Sequence, residues 1–191
     1  MKNKILAVLV ALVIITSLVQ SCQTLPKKTE STIQINLRDA EAYNNRGNAY
    51  QRKGQYDQAI SDYSTALEMN PRDAEVYNNR GNAYQRKGQY NHAISDYDKA
   101  LEMNPRFAEA YYNRGIVYQR KGQYNQAISD YSTALEINPR YAVAYINRAM
   151  VYYLQKNYDK SWNDVYKAKE LGSKVPPRFI DVLRKASGIQ Q

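Results

Sequence analysis

The sequence has few of the residues on which most catalytic and metal sites depend. Its 191 residues include one cysteine, one histidine, one tryptophan and two phenylalanines, against 19 tyrosines. A single cysteine excludes an internal disulfide and a Cys-rich zinc site. A single histidine excludes most catalytic triads and metal clusters, and no nucleophile–base pair or phosphate-binding loop is visible. The sequence therefore predicts a protein that is not an enzyme and uses no cofactor or metal.

The chain is basic, but its positive charge is concentrated near the two ends. The formal net charge is +9, whereas residues 40–155 net only +2 because 14 basic residues oppose 12 acidic ones. A strong basic patch would favour nucleic-acid binding. The near-neutral body, together with an export signal at the N-terminus, predicts that nucleic acid is not a partner.

Residues 1–21 have the pattern of this export signal. Lys2 and Lys4 precede an unbroken apolar run at residues 5–15, and small and polar residues continue up to Cys22. This order is typical of a secretory signal. The apolar run is shorter than the roughly 20 residues needed to cross a bilayer, so we expect cleavage rather than a retained signal anchor.

The end of this segment, Leu18-Val19-Gln20-Ser21-Cys22, resembles the lipobox of bacterial lipoproteins, which are cut before the cysteine and acylated on it. Gln20 is uncommon at its position, and an ordinary secretory signal with an incidental cysteine is the alternative. Lipidation at Cys22 would remove an unpaired thiol from an oxidising compartment, and several acyl chains anchor a protein stably. Gln23 is not aspartate, which in Gram-negative lipoproteins implies the periplasmic side of the outer membrane.

The body of the chain is an internal repeat with a period of 34 residues. Residues 74–107 and 108–141 each agree with residues 40–73 at 28 of 34 positions, and a divergent fourth copy occupies residues 142–175. Such a period is typical of helical repeat arrays. Residues 22–39 are polar and predict a flexible tether, and residues 176–191 predict a capping helix and tail. Residues 35–39 resemble the end of a repeat, as if an earlier copy had been lost.

Each copy predicts two helices. In the first copy, Tyr43, Gly47 and Tyr50 share one helix face at spacings of four and three, and Gly54 suits the left-handed position that ends a helix. The second helix ends at Pro71, which cannot continue it. These features predict an all-α fold, an α-solenoid of antiparallel helix pairs in which each copy buries its apolar face against its neighbours.

Eight signature positions recur in register in the first three copies, and in the first copy they are Tyr43, Arg46, Gly47, Tyr50, Ala59, Tyr63, Ala66 and Pro71. This pattern resembles the tetratricopeptide repeat (TPR), with tyrosine for the usual Trp and Phe and Arg46 for the usual Leu. The match extends from residue 40 to about residue 173. The recurring tyrosines are expected to pack the repeat core, and the matching recurrence of Arg46 and Asp62 predicts an ion pair in every copy.

In this family the first helices line a concave face through repeat positions 2, 5, 6, 9, 12 and 13, and the resemblance places a peptide-binding groove there. Position 6 is asparagine in all four copies, and an amide can pair with the backbone of an extended peptide. The alternative is that near-identical copies repeat any surface residue. The groove residues implied for this chain are Asn45, Asn79, Asn113, Asn147, Asn48, Asn82, Arg52, Arg86, Arg120, Tyr112, Ile116, Ile146, Met150 and Tyr153.

This groove changes from amide-rich to apolar toward the fourth copy, where an apolar patch contacts either a partner or the capping helix. The arginines at position 13 lie at helix C-termini, where a positive charge stabilises the helix dipole. We interpret them first as structural residues and second as contacts for an acidic ligand. Some family members clamp a chaperone tail with three basic residues, and here those positions hold Asn44, Glu109 and Asn113. That clamp is therefore not expected.

Together these patterns predict a membrane-anchored protein-protein interaction module that binds extended peptides or protein partners in the bacterial envelope. The alternative is a self-assembling structural scaffold, a homo-oligomer, in an envelope complex such as those of pilus or outer-membrane assembly.

The anchor prediction rests on one residue. In cells fed radioactive palmitate, we expect the wild-type chain to be labelled and Cys22→Ser to be unlabelled, because the acyl chains attach at that cysteine. Equal labelling of the two chains would contradict the lipobox assignment.

Overall fold

The computed structural model describes residues 27–188, with side chains from residue 37 onward. This part of the chain contains nine α-helices and no strand. The helices are α1 (Lys27–Arg52), α2 (Tyr56–Met69), α3 (Ala74–Arg86), α4 (Tyr90–Met103), α5 (Ala108–Arg120), α6 (Tyr124–Ile137), α7 (Ala142–Leu154), α8 (Tyr158–Glu170) and α9 (Pro177–Ser187). The signal peptide and Cys22 predicted from the sequence lie outside the described residues.

Consecutive helices pack as pairs, one pair for each 34-residue copy. The C-terminal half of α1 packs on α2, α3 on α4, α5 on α6 and α7 on α8, and the second helix of each repeat also packs on the first helix of the next. Contacts are thus confined to neighbouring repeats, as in other helical arrays. The predicted all-α solenoid is confirmed.

A close contact between glycine and tyrosine fixes the distance between the two helices of a repeat. A Cβ atom on Gly47 would lie 2.7 Å from Cε1 of Tyr63, and the equivalent distances in the next two repeats are 2.7 and 2.8 Å. The fourth repeat has Ala149 and Val165 instead, both fully buried. The smaller valine leaves room for the alanine methyl group, so the two positions change together.

Three side-chain links fasten each repeat to the next. In each link a side chain of one repeat forms a hydrogen bond or ion pair with a side chain of the preceding repeat. The asparagine at position 6 pairs with position 5, the arginine at position 7 pairs with position 25, and the residue at position 14 pairs with position 18. At the interface of repeats three and four these links are Asn147–Tyr112 (3.0 Å), Arg148–Ser132 (2.8 Å) and Gln155–Asn125 (2.8 Å). The other two described interfaces have the same three links.

Residues 27–39 are helical, which differs from the flexible tether predicted for residues 22–39, of which residues 22–26 lie outside the described residues. Helix α1 begins at Lys27 and runs without a break through the first repeat to Arg52. Where the first three repeats have a proline that ends the helix, as at Pro71, this segment has Leu37. Leucine keeps its backbone N–H and has high helix propensity, so the helix continues into the first repeat.

Helix α9 closes the C-terminal end of the array. Its residues Phe179 and Leu183 join a buried cluster with Trp162. Pro176 comes 34 residues after Ala142, which places α9 in the register of the first helix of a fifth repeat, and it packs on α8 accordingly. The predicted capping helix is present and extends the solenoid by one helix.

The glycine–tyrosine contact can be tested in the second repeat. We expect Gly81→Ala to lower the free energy of unfolding by about 1 kcal/mol, because overpacking strain of roughly 1–3 kcal/mol outweighs the helix-propensity gain of about 1 kcal/mol. In a Tyr97→Val background the same change should raise stability. Urea unfolding followed by circular dichroism measures both effects.

A Tyr97→Phe background is the matched control for that cycle, since it keeps the ring and removes only the hydroxyl. Gly81→Ala should cost the same there as in the wild type. Equal effects of Gly81→Ala in the valine and phenylalanine backgrounds would show that the ring does not set the helix spacing.

Candidate functional site

The first helices α1, α3, α5 and α7 lie side by side, each in contact with the next. We name the surface formed by their repeat positions 2, 5, 6, 9, 12 and 13 the first-helix face. The predicted groove residues all lie on these four helices, and the structure therefore brings them together on one layer of the array.

The position-6 asparagines connect neighbouring repeats. In each of the three later copies the side-chain Nδ2 donates to position 5 of the preceding repeat: Asn79 to Asn44 (3.3 Å), Asn113 to Asn78 (3.1 Å) and Asn147 to Tyr112 (3.0 Å). Asn113 and Asn78 are buried, at 8% and 2% exposure. Asn45, in the first repeat, is exposed. The asparagine row is therefore structural in its later members and open to solvent at its first.

Tyrosines of the second helices reach the first-helix face from behind. The Tyr63 hydroxyl donates to Oδ1 of Asn48 at 2.7 Å, and the second repeat has the same bond at 2.8 Å. Burial raises the pKa of Tyr63 to about 12, so this donor keeps its proton at neutral pH. In the third repeat Ile116 offers no acceptor, and the Tyr131 hydroxyl donates to Gln119 at 2.7 Å.

These bonds orient the amides at position 9. With Oδ1 of Asn48 and Asn82 accepting from tyrosine, their Nδ2 groups have no hydrogen-bond partner among the described residues. An amide held in this way presents two hydrogen-bond donors in a fixed direction. The sequence predicted these residues for the groove, but not the tyrosine that holds them.

Two rows of charge border the first-helix face. Position 2 carries Glu41, Glu75 and Glu109, position 13 carries Arg52, Arg86 and Arg120, and all six are exposed. Glu75 and Glu109 lie in the first turns of α3 and α5, and the three arginines lie in the last turns of their helices, so these five charges complement the helix dipole. Glu41 lies within the continuous helix α1. Eleven residues separate the rows, which is about 16 Å at roughly 1.5 Å per helical residue.

A cavity of about 490 Å³ opens between α1 and α3 at the acidic row. Its lining includes the carboxylates of Glu41, Asp73 and Glu75 and several asparagines, and it contains no basic residue. Asp73 caps α3 by accepting from the backbone N–H groups of Glu75 and Val76 at 3.0 and 3.1 Å. The carboxylates of Glu41 and Glu75 have no hydrogen-bond or ion-pair partner among the described residues.

The apolar groove residues of the fourth repeat are largely covered by the protein itself. Ile146 belongs to the buried cluster that includes α9, and Met150 and Tyr153 pack against that cluster. The Tyr153 ring meets the Phe179 ring edge-on at 5.9 Å. Of the two alternatives that the sequence left open, contact with the capping helix therefore holds for Tyr153, while Ile146 and Met150 lie in or against the cluster that this helix completes.

Two apolar side chains of the fourth repeat remain exposed. Val143 and Leu154 stand at positions 2 and 13, where the other repeats carry Glu and Arg, and they are 43% and 49% exposed. The family resemblance places both positions on the concave face, although neither residue was among the groove residues singled out from the sequence. The simultaneous loss of both charges in one copy is the sequence signal that marks them.

A second recurring site joins the two helices of each repeat. Nε and Nη2 of Arg80 donate to the two Asp96 oxygens at 2.8 and 2.7 Å, and the guanidinium lies over the Tyr77 ring. The same bidentate pair occurs in all four repeats, which confirms the predicted pairing. Such fork-to-fork pairs are geometrically specific. The site fastens the helices together.

The third repeat has a variation of this pair beside a cavity of about 650 Å³. Arg114 bonds to Asp130 and also to Asp98, which replaces the serine found at that position in the other links. Burial raises the pKa of Asp130 in spite of the opposing effect of Arg114. Both carboxylates are occupied by the same guanidinium, so this cavity offers an incoming ligand little free charge.

Within residues 27–188, no group of three or more His, Cys, Asp or Glu residues could hold a metal ion. None of the helices in this range is both long enough and apolar enough to cross a bilayer. The lone histidine, His92, is exposed as predicted and stacks on the Tyr84 ring at 5.1 Å.

Comparison with known proteins agrees with the architecture. The tetratricopeptide repeat family matches residues 40–73, 74–107 and 108–141, while no curated protein matches the chain in sequence. Three solved structures are similar to this chain. The MamA protein is 26% identical, with 78% of this chain and 83% of that chain covered and a TM-score of 0.68. The TPR domain of Arabidopsis OM64 is 26% identical, with 61% of this chain and 96% of that chain covered and a TM-score of 0.59. The first TPR of Spaghetti (RPAP3), bound to an HSP90 peptide, is 27% identical, with 62% of this chain and 94% of that chain covered and a TM-score of 0.61.

The family matches more than half of the chain, in the same three units that the structure folds into consecutive helix pairs. The chain belongs to the tetratricopeptide repeat family, and its fold is a protein-interaction scaffold.

Proposed function

We propose that the first-helix face binds an extended segment of a protein partner, and that a lipid on Cys22 holds the chain at the outer membrane of a bacterial envelope. The observation that carries the binding proposal is the set of oriented amides on this face. Asn48 and Asn82 present free Nδ2 donors, and Asn45 is exposed beside them. An extended backbone can pair with such amides whatever its side chains are.

A similar protein supports binding of a peptide, although not of the same peptide. The first TPR of RPAP3 was solved with the HSP90 peptide SRMEEVD, which is rich in acidic residues. The positions at which this family clamps such a tail hold Asn44, Glu109 and Asn113 here. None of the three is cationic, and Glu109 would repel an acidic tail, so the partner segment of this chain is of another kind.

The envelope location is supported by the lipobox-like segment that ends at Cys22. The helical residues 27–39 fit this arrangement. Thirteen helical residues span about 20 Å at roughly 1.5 Å each. The N-terminal part of α1 therefore acts as a spacer that holds the repeats away from the lipid surface.

A self-assembling scaffold is the second candidate. It is favoured by exposed apolar side chains at both ends of the described array, Leu37 on α1 and Val182 on α9, at 40% and 45% exposure. Ends of this kind could stack on a second copy of the chain.

A photo-crosslinking amino acid placed in living cells distinguishes these functions. At Asn45 and Arg86, on the first-helix face, we expect crosslinks to a partner protein, because these side chains are exposed where the segment lies. Glu68 and Glu136, exposed on second helices, are the matched control positions and should give none. Mass spectrometry identifies the products. Equal products from both sets contradict the proposal, and products containing only a second copy establish the scaffold instead.

The asparagine row can be divided into binding and structural members by alanine substitution. Asn45→Ala should weaken partner capture and change the free energy of unfolding by less than about 0.5 kcal/mol, as for most surface substitutions. Asn113→Ala should cost about 1–3 kcal/mol, because the buried Oδ1 of Asn78 loses its donor. Urea unfolding and crosslinking yield measure the two effects. Unchanged capture by Asn45→Ala would argue against the amide row as a binding surface.

A further inference from the structure

The first-helix face changes in composition along one edge, and three repeat positions change in the same direction. Position 34 is Asp73, then Phe107, then Tyr141. Position 2 is glutamate three times and then Val143. Position 5 is asparagine twice, then tyrosine, then isoleucine. Near-identical repeats would copy a surface unchanged, whereas here the edge passes from acidic and amide-rich to apolar.

The acidic end of this edge is the cavity between α1 and α3. Glu41 and Glu75 are exposed there without partners, and Asp73 adds a third carboxylate that already caps α3. The arginines of the same helices lie about 16 Å away along the helix axes, from roughly 1.5 Å per residue. At about 490 Å³ the cavity falls within the roughly 300–1,000 Å³ typical of ligand sites. Its charge and polarity complement a cationic side chain.

The junction of α3 with α5 lacks this cavity's third carboxylate. Phe107 stands where Asp73 does, and its side chain does not cap α5. Among the described residues, only the junction of α1 with α3 therefore combines two glutamates that have no ion-pair partner there with an aspartate.

The apolar end of the edge lies at α7. Val143 is 43% exposed, although the apolar residues next to it in the repeat are covered. The half-buried rings of Tyr112, on α5, and Tyr141, directly before α7, are in contact, with centroids 4.8 Å apart. A large apolar side chain lying here would cover Val143.

We propose that the first-helix face is directional: it takes an extended segment that places a Lys or Arg side chain in the cavity between α1 and α3 and a large apolar side chain on Val143. This inference rests on the proposed function. Two helix spacings of about 10 Å separate the α3 side of this cavity, at Glu75, from Val143 on α7. At roughly 3.3 Å per extended residue, the two side chains are about six residues apart.

Fluorescent nine-residue peptides test this inference on the full-length chain in detergent. The probe has Lys at its second position, Leu at its eighth, and alternating Ser and Ala elsewhere. Three matched peptides have Glu in place of Lys, Ser in place of Leu, or Lys and Leu only two residues apart. Fluorescence anisotropy should show that the probe binds at least about fivefold more tightly than each, and that the difference from the Glu peptide shrinks in high salt as charges are screened.

Two variants of the chain locate the effect. The double variant Glu41→Gln with Glu75→Gln should bind the probe about fivefold more weakly and should bind the Glu peptide no more weakly than the wild type does. The matched control variant, Glu68→Gln with Glu136→Gln, should leave both affinities unchanged. Val143→Ser should weaken the probe about threefold, and Val182→Ser, at a similarly exposed valine on α9, should not.

The outcomes separate this inference from the proposed function. If all four peptides bind equally and Asn45→Ala weakens them all, the directional inference fails and peptide binding stands. If the probe does not bind, the inference is overturned. If, in addition, crosslinking from position 45 captures no partner, the proposed function fails with it.

Discussion

The missing side chain at Gly47 and its counterparts is the constraint on which the other features of this molecule depend. Without a Cβ atom at this position, the ring of Tyr63 lies against the backbone of the first helix, where an added methyl carbon would be 2.7 Å away. The tyrosine is long enough that its hydroxyl passes beyond the core and reaches Asn48. One packing contact therefore sets the helix spacing and also orients a polar group on the opposite surface.

In the fourth repeat this constraint is released. Val165 has no hydroxyl to deliver, and the position-9 residue that would receive it is Met150. At position 9 the amides already end in the third repeat, at Ile116, where the glycine–tyrosine pair is still present and Tyr131 donates to Gln119 instead. Tyr153 then packs on Phe179 of α9. The surface thus begins to lose its amides one repeat before the core changes, and the fourth repeat adds the loss of the tyrosine hydroxyl and the contact with α9.

The sequence predicted the architecture because a 34-residue period repeats every helix boundary, and it predicted the Arg–Asp pairs because both partners recur together. It did not predict the helix at residues 27–39, since the polar composition of residues 22–39 suggested a tether, whereas the continuous helix depends on Leu37 standing where the first three repeats have proline. The roles of Asn113 and Ile146 also escaped it. A repeat pattern gives the face of a helix on which a residue lies, but not its distance to the next repeat or to α9, and those distances decide whether the residue is buried.

The three links at every repeat interface have a mechanical consequence. They lie at three separate places on the interface. Position 6 is on the first-helix face, position 14 is at the end of the same helix, and the arginine at position 7 lies between the first and second helices. To open one interface like a hinge, at least one of the three links must stretch. The links therefore resist bending at every interface between repeats. A segment bound from α1 to α7 would span all three interfaces between these repeats and would oppose their opening. Binding would then stiffen the array, and a pull on the chain at its N-terminal end would be transmitted to the bound partner.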